Sequence, residues 1–522
     1  MSSNLHGRLV SGFFMCILLF ICLVCTGNVG ADQATTNQSL FETQLLEITD
    51  APRYAHASWG IIVYDPETGQ TLYDKNADEM FVPASTTKIF SSASVLEALG
   101  PDYRFTTPVY ATAASNGSGI DLVLVASGDP TMGGRTLPDG TIEFMNTDHC
   151  ESNGSLTTTD PLSGLEDLAR QVKASGITTV SDVIIDDRLF GNVQLEYMDI
   201  LTPIIINDNR IDLSITSGAS GSAPSITMRP ETAAFSLVNN VTYGPPGTEL
   251  NIIPLEGPEG TIVASGTMAS DAGIVNTTFS VPVPAAFART LFIEALEREG
   301  IDVNVDATGD NPGSKLPAAE DYADSRKVAE LISPPLSEDV KLTMKVSQNL
   351  HANQYIMLLA LSDNKTGYYD GMKKEGDILR SLGLNTSVIA LGDGAGGDRV
   401  DRVTPRAVAE LLTLISKKPY AETYLKAQPV LGVDGTLASH CKAGNTGCGK
   451  VYAKTGTSPW PDTLNEQNFL LSKGLAGYVD TKSGKRLVFA EYVNNAPFSE
   501  SMNSDIAGID LGSIAGLIYE YY

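Results

Sequence analysis

Basic residues and histidine are scarce in this chain of 522 residues. It carries 35 Lys+Arg against 62 Asp+Glu, a net charge of −27, and only five histidines. A surface this acidic repels a phosphate backbone, which excludes nucleic acid as a partner. The histidines beyond residue 31 are His56, His149, His351 and His440, and they form no His-x-x-Glu or clustered Cys/His spacing. Zinc chemistry is therefore not expected, and neither is any other metal or cofactor. The glycine-rich run Gly392-Asp393-Gly394-Ala395-Gly396-Gly397 lacks the lysine of a phosphate-binding loop. No internal repeat occurs.

Long apolar runs are missing as well, with one exception. Leu9 to Cys25 follows Arg8, residues 1–31 hold no acidic group, and Val29-Gly30-Ala31 offers the small residues that signal peptidase cuts after. Residues 1–31 read as an export signal or an uncleaved anchor, giving a periplasmic or extracellular protein with peripheral membrane or cell-wall association. Of six cysteines, only Cys150, Cys441 and Cys448 lie beyond it. In an exported chain, Cys441 and Cys448 bracket six residues as a local disulfide closing a turn, and Cys150 is left over.

What is present is enough chain for two or three domains. Ser58–Tyr64 and Gln70–Tyr73 read as two strands around a tight turn, and apolar spacing predicts a helix from about Ile89 to Leu99. Residues 106–325 turn to strands rich in Gly, Ser and Thr, with a helical stretch from Leu162 to Ser175, and read as an inserted mainly β or α/β region of two lobes. From Val340 to Leu361 the pattern is one continuous helix. Strands follow over 449–457, Gly474–Val479 and Arg486–Val493, and a helix closes the chain from about Ser501 to Tyr521. Residues 32–105 and 326–522 thus make one discontinuous α+β core around the insertion.

Three short motifs fall in this frame. Ser85-Thr86-Thr87-Lys88 puts a hydroxyl and an amine on one face of a first helical turn, where the amine can take the hydroxyl's proton. Ser347-Gln348-Asn349 adds a second hydroxyl and an amide. Lys454-Thr455-Gly456-Thr457 ends a strand with a cation suited to gripping a carboxylate. Each is common by chance, but the ordered set is the signature of serine penicillin-recognising enzymes. Two lysines sharing a shielded cleft would also disfavour double protonation, which suits Lys88 as a base.

The likeness extends to Leu99-Gly100-Pro101-Asp102-Tyr103-Arg104-Phe105, Gly128-Asp129-Pro130, Ser333-Pro334-Pro335-Leu336 and Gly432-Val433-Asp434-Gly435-Thr436-Leu437. Together these resemble the D-alanyl-D-alanine carboxypeptidase/endopeptidase family, the low-molecular-mass class C penicillin-binding proteins. The resemblance implies a penicillin-binding-protein/β-lactamase-like transpeptidase fold, an antiparallel sheet flanked by helices. It implies hydrolysis of D-Ala-D-Ala in peptidoglycan peptides, with β-lactams as inhibitors. By the same resemblance, Ser85 is the nucleophile, Lys88 its base and Ser347 a proton relay. Asn349, Lys454, Thr455 and Thr457 hold substrate, and the N–H groups of Ser85 and Thr457 form an oxyanion hole. Two features depart from the family: Asp393-Gly394-Ala395-Gly396 has alanine where serine is usual, and Ser458 to Phe469 is long enough to narrow the cleft. A related esterase, D-aminopeptidase or β-lactamase, and a non-catalytic wall-binding protein, are the alternative readings.

Overall fold

The computed structural model describes residues 36–522, apart from 115–116, 118, 150–152, 197–198, 218–222 and 259. The expected signal over 1–31 and Cys150 lie outside the described residues. Among the described residues no helix is long and apolar enough to cross a membrane.

The first core is built on a five-stranded antiparallel sheet. Its order is Val451–Asp462, Gln467–Asp480, Arg486–Pro497, Ser58–Asp65 and Gln70–Lys75. Strand side chains alternate between faces, and the sequence Ile61-Ile62-Val63 uses both. Ile61 and Val63 join a cluster with Phe41, Leu511, Ile514 and Ile518, from the helices 36–49 and Ser504–Tyr521. Ile62 faces the other way, with Ile89, Phe90, Val408 and Leu412 from the helices Lys88–Leu99 and Pro405–Ile415. The sheet is thus covered on both sides, which explains why its strands read as nearly continuous apolar runs.

The inserted region hangs on a second sheet, ordered Arg326–Ile332, Thr106–Ala113, Ile120–Val125 and Asp182–Asp186. Arg326–Ile332 pairs with Thr106–Ala113, so the chain just after residue 325 supplies the edge strand of this sheet. Among the described residues the insertion also holds two three-stranded sheets and a short parallel pair, Thr179–Val180 with Asp302–Val303. The two expected lobes share one contiguous apolar cluster, from Val109 through Leu213 and Ile262 to Ala329.

The continuous helix expected over Val340–Leu361 is two helices, Leu336–Val346 and Asn349–Ser362. Ser347 breaks it in the left-handed region at φ 63°, and the Gln348 side chain caps the second helix by accepting from the Leu350 N–H. Serine rarely holds such a φ without support. Here the insertion supplies it on both sides of the break: Ile142 packs on Leu342 and Val346, and Phe190, Leu201 and Ile205 pack on Leu350 and Met357.

Candidate active site

Ser85 sits in a 3₁₀ turn, Ala84–Thr87, that runs directly into the Lys88–Leu99 helix. Its side chain is half-buried, whereas Lys88 is fully buried. Lys88 Nζ donates to Ser85 Oγ at 2.8 Å, to Asn349 Oδ1 at 2.7 Å and to the Ala395 carbonyl at 3.0 Å. Three acceptors in distinct directions fix the amine beside the hydroxyl.

The Ala395 contact bears on the first departure from the family motif. Asp393 folds the loop onto itself by accepting from the N–H groups of Ala395, Gly396 and Gly397. Gly394 N–H donates to Asn353 Oδ1, and the Gly394 carbonyl accepts from Ser91. The loop therefore reaches Lys88 through a backbone carbonyl, which alanine supplies as well as serine.

Lys454 is also fully buried. Its Nζ donates to Ser347 Oγ at 2.9 Å and to the Thr455 carbonyl at 2.8 Å. Thr455 Oγ1 donates to Thr436 Oγ1 at 2.7 Å. Gly456 lets this strand approach the Ser85 turn: a Cβ there would overlap the Pro83 carbonyl oxygen and lie 3.1 Å from the Thr86 amide. Thr457 is exposed midway along the strand, with Lys473 donating to its Oγ1 at 2.8 Å. Residues 458–469 form no separate cover: they continue the hairpin, pairing Trp460 with Phe469 and Asp462 with Gln467.

Six of the seven residues picked from the sequence for chemistry thus fall in two sets of contacts, Ser85–Lys88–Asn349 and Ser347–Lys454–Thr455, brought together by the Ser347-Gln348-Asn349 segment, and Thr457 lies two residues beyond Thr455 on the strand. Cys441 and Cys448 are joined as a disulfide with Cα atoms 6.0 Å apart, in the turn before that strand.

Several further residues hold this arrangement, and of them the sequence offered a signal only for Asp434, in the Gly432–Leu437 segment. Lys345 donates to the Gln428 carbonyl at 2.6 Å and to both Asp434 oxygens at 2.7 Å, anchoring the helix that ends at Ser347. Burial pushes its pKa down, and Asp434 opposes that fall. On the other side, Asp208 arrives from the insertion on a left-handed turn, Asn207-Asp208-Asn209, with φ of 51°, 54° and 53°. Its Oδ1 accepts from His351 Nε2 at 2.8 Å and its Oδ2 from Gln348 at 3.2 Å. His351 Nδ1 lies 2.8 Å from Asp339, which Tyr355 also bonds. Burial alone would lower the His351 pKa, but Asp339 and Asp208 outweigh it and raise the ring to about 10.

Asp148, His149 and Asp208 stand close enough to share an ion. Arg135 already spans them, donating to Asp148 at 2.8 and 2.9 Å and to Asp208 at 2.7 Å, with His149 Nε2 3.0 Å away. The guanidinium supplies the positive charge that a metal would bring.

Comparison with known proteins agrees with this geometry. The chain is 31% identical over 447 residues to a D-alanyl-D-alanine carboxypeptidase of Actinomadura sp. (strain R39), covering 80% of this chain and 76% of that one. It is 26% identical to penicillin-sensitive carboxypeptidase A of Dictyostelium discoideum, over 86% and 85% of the two chains. The fold is similar to the crystal structure of penicillin binding protein 4 from Haemophilus influenzae, with a TM-score of 0.67, 19% identity, and 91% and 98% of the chains covered. A family model matches residues 41–511. Motif order, site geometry and these matches agree: the chain belongs to the D-Ala-D-Ala carboxypeptidase 3 (S13) family.

Proposed function

We propose that the protein is a serine-type D-Ala-D-Ala carboxypeptidase, with or without DD-endopeptidase activity, acting on peptidoglycan peptides outside the cytoplasm. The observation that carries this is the hydrogen bond from Lys88 to both Ser85 and Asn349, residues far apart in sequence. In this reading neutral Lys88 keeps two N–H bonds, to Asn349 and the Ala395 carbonyl, and turns its lone pair to Ser85 Oγ, which attacks the carbonyl of the penultimate D-Ala as Lys88 takes its proton. The N–H groups of Ser85 and Thr457 receive the developing oxyanion. The C–N bond then breaks, and the proton passes through Lys88 or Ser347 to the leaving D-Ala nitrogen. Water hydrolyses the acyl-enzyme and restores the serine hydroxyl. Asn349 holds the substrate amide, and Lys454, Thr455 and Thr457 face its terminal carboxylate.

A β-lactam offers the same acyl group on a leaving group that stays tethered, so it stalls at the acyl-enzyme. Fluorescent penicillin should label the protein covalently, with the adduct at Ser85 by mass after digestion, and Ser85→Ala should take no label. Undiminished labelling of that variant would remove Ser85 from the nucleophile role. Rapid turnover of the penicillin without accumulated adduct would favour a β-lactamase, and absence of both labelling and peptide cleavage would favour a wall-binding protein.

A further inference from the structure

Lys473 lies on the Gln467–Asp480 strand directly opposite Thr457, and it is only 4% exposed. Its Nζ donates to Thr457 Oγ1 at 2.8 Å. An ammonium has protons to give and no lone pair, so in this contact the threonine hydroxyl accepts. Its own proton is left to point away from Lys473. The neighbouring hydroxyl is committed differently, since Thr455 donates its proton to Thr436. Of the two hydroxyls in Thr455-Gly456-Thr457, the one on Thr457 therefore holds a proton for an incoming acceptor, and Thr457 is the exposed residue of the pair.

The setting keeps positive charge beneath that hydroxyl. His440 is buried next to Lys473, and burial together with the Lys473 charge lowers its pKa to about 4, against an opposing pull from Asp505. The ring is neutral near pH 7, so it adds no competing cation. Antiparallel partners share a sheet face, and Leu475, two residues along from Lys473, packs among residues of the Ser504–Tyr521 helix. Lys473 thus reaches Thr457 from the face opposite the one where Lys454 meets Ser347.

We propose that Lys473 is a positioning residue of the substrate-carboxylate subsite: it turns the Thr457 hydroxyl into an obligate donor and adds a buried positive charge behind it. The role rests on the peptidase reading above, in which Thr457 faces the C-terminal carboxylate. A donor polarised by a cation binds an anion more strongly than a neutral hydroxyl does, and the charge of the buried Lys473 is felt through the intervening oxygen. The device therefore favours a substrate ending in a free carboxylate over one whose terminus is neutral.

The test compares an acyl-D-Ala-D-Ala peptide with the same peptide ending in D-alaninamide. In Lys473→Met the ratio of kcat/KM for acid over amide should fall at least tenfold, mainly through KM, and Lys473→Arg should recover part of it. Thr457→Val should give the same fall, and the double variant should fall no further, because both changes remove one device. Equal loss on both peptides, no loss, or additive losses would overturn the proposal. If Lys473→Met shows no cooperative unfolding transition, Lys473→Gln takes its place with the same outcomes. A parent protein that cleaves neither peptide and takes no penicillin at Ser85 refutes the peptidase reading and this role with it. A parent that does both, with an unchanged ratio in the variants, refutes only the role of Lys473.

Discussion

His351 Nε2 lies 2.8 Å from Asp208 Oδ1, a carboxylate that the insertion carries to the helix beginning two residues after Ser347. The pair joins two parts of the fold that are 143 positions apart. Gln348, inside the Ser-x-Asn motif, bonds the same aspartate. The accessory region therefore braces the motif itself as well as packing beside it.

Breaking this brace should be costly. Asp208→Ala would leave Arg135, His149 and His351 around an empty position, and removing one partner of a buried ion pair costs about 3–5 kcal/mol. Denaturant unfolding at pH 6 should show a loss of that size. The pH dependence follows from the two directions of shift. His351 is raised from 6.5 to about 10, so its contribution is complete below pH 6.5 and disappears as pH rises through 10. Burial alone would raise the Asp208 pKa, but Arg135 and the two histidines hold it well below the usual carboxylate range. Its contribution is present above about pH 4 and is lost on acidification. A difference between parent and variant that is flat from pH 3 to 10 would contradict the assignment.

Glu375 carries the opposite sign. It is buried, and burial, with Asp401 and Asp393 nearby, raises its pKa to about 8. The folded protein prefers the acid form, so this residue costs nothing below pH 4.5, and the cost grows until pH passes about 8. Glu375→Gln should match the parent in melting temperature near pH 4.5 and exceed it at pH 8.5. Equal melting temperatures at pH 8.5 would show that the carboxyl is not held neutral.

Gly456 decides how closely the Lys454 strand approaches Ser85. With a Cβ overlapping the Pro83 carbonyl, Gly456→Ala must push the strand outward. Displacing a reacting constellation by about 1 Å typically costs about 100-fold in rate. Penicillin acylation should slow by about that factor while the protein stays folded. Unchanged acylation would mean that the strand sits farther from the serine.

Lys454 should contribute through a carboxylate it helps to hold. A charge-assisted contact in a desolvated cleft is worth about 2–4 kcal/mol to the transition state. Lys454→Ala should then lower kcat/KM on an acyl-D-Ala-D-Ala peptide by roughly 30-fold to 1000-fold. Lys454→Arg should recover only part, since the guanidinium keeps the charge but not the compact ammonium. Full activity in Lys454→Ala would remove this strand from carboxylate recognition.

The sequence by itself determined the elements that frame the site and the reactive groups. Apolar spacing marked the Lys88–Leu99 helix to within a residue, and alternation marked the strand that carries Lys454; the strand read from Gly474 begins at Gln467 and so takes in Lys473. Ser85, Lys88, Ser347, Asn349 and Lys454 were legible because each sits in a short motif whose spacing is local chemistry. Periodicity misled at Ser347, since the apolar pattern runs straight through a position whose left-handed backbone is imposed by its neighbours. What only the tertiary structure decided was how distant groups answer one another. Asp208 reaches His351, Asp434 reaches Lys345, the Ala395 carbonyl reaches Lys88, and Lys473 lies under Thr457. The first three pairs share no helix turn or hairpin, and Lys473 meets Thr457 across a hairpin whose register the fold sets. Their energies depend on burial and direction, which exist only once the chain has closed around them.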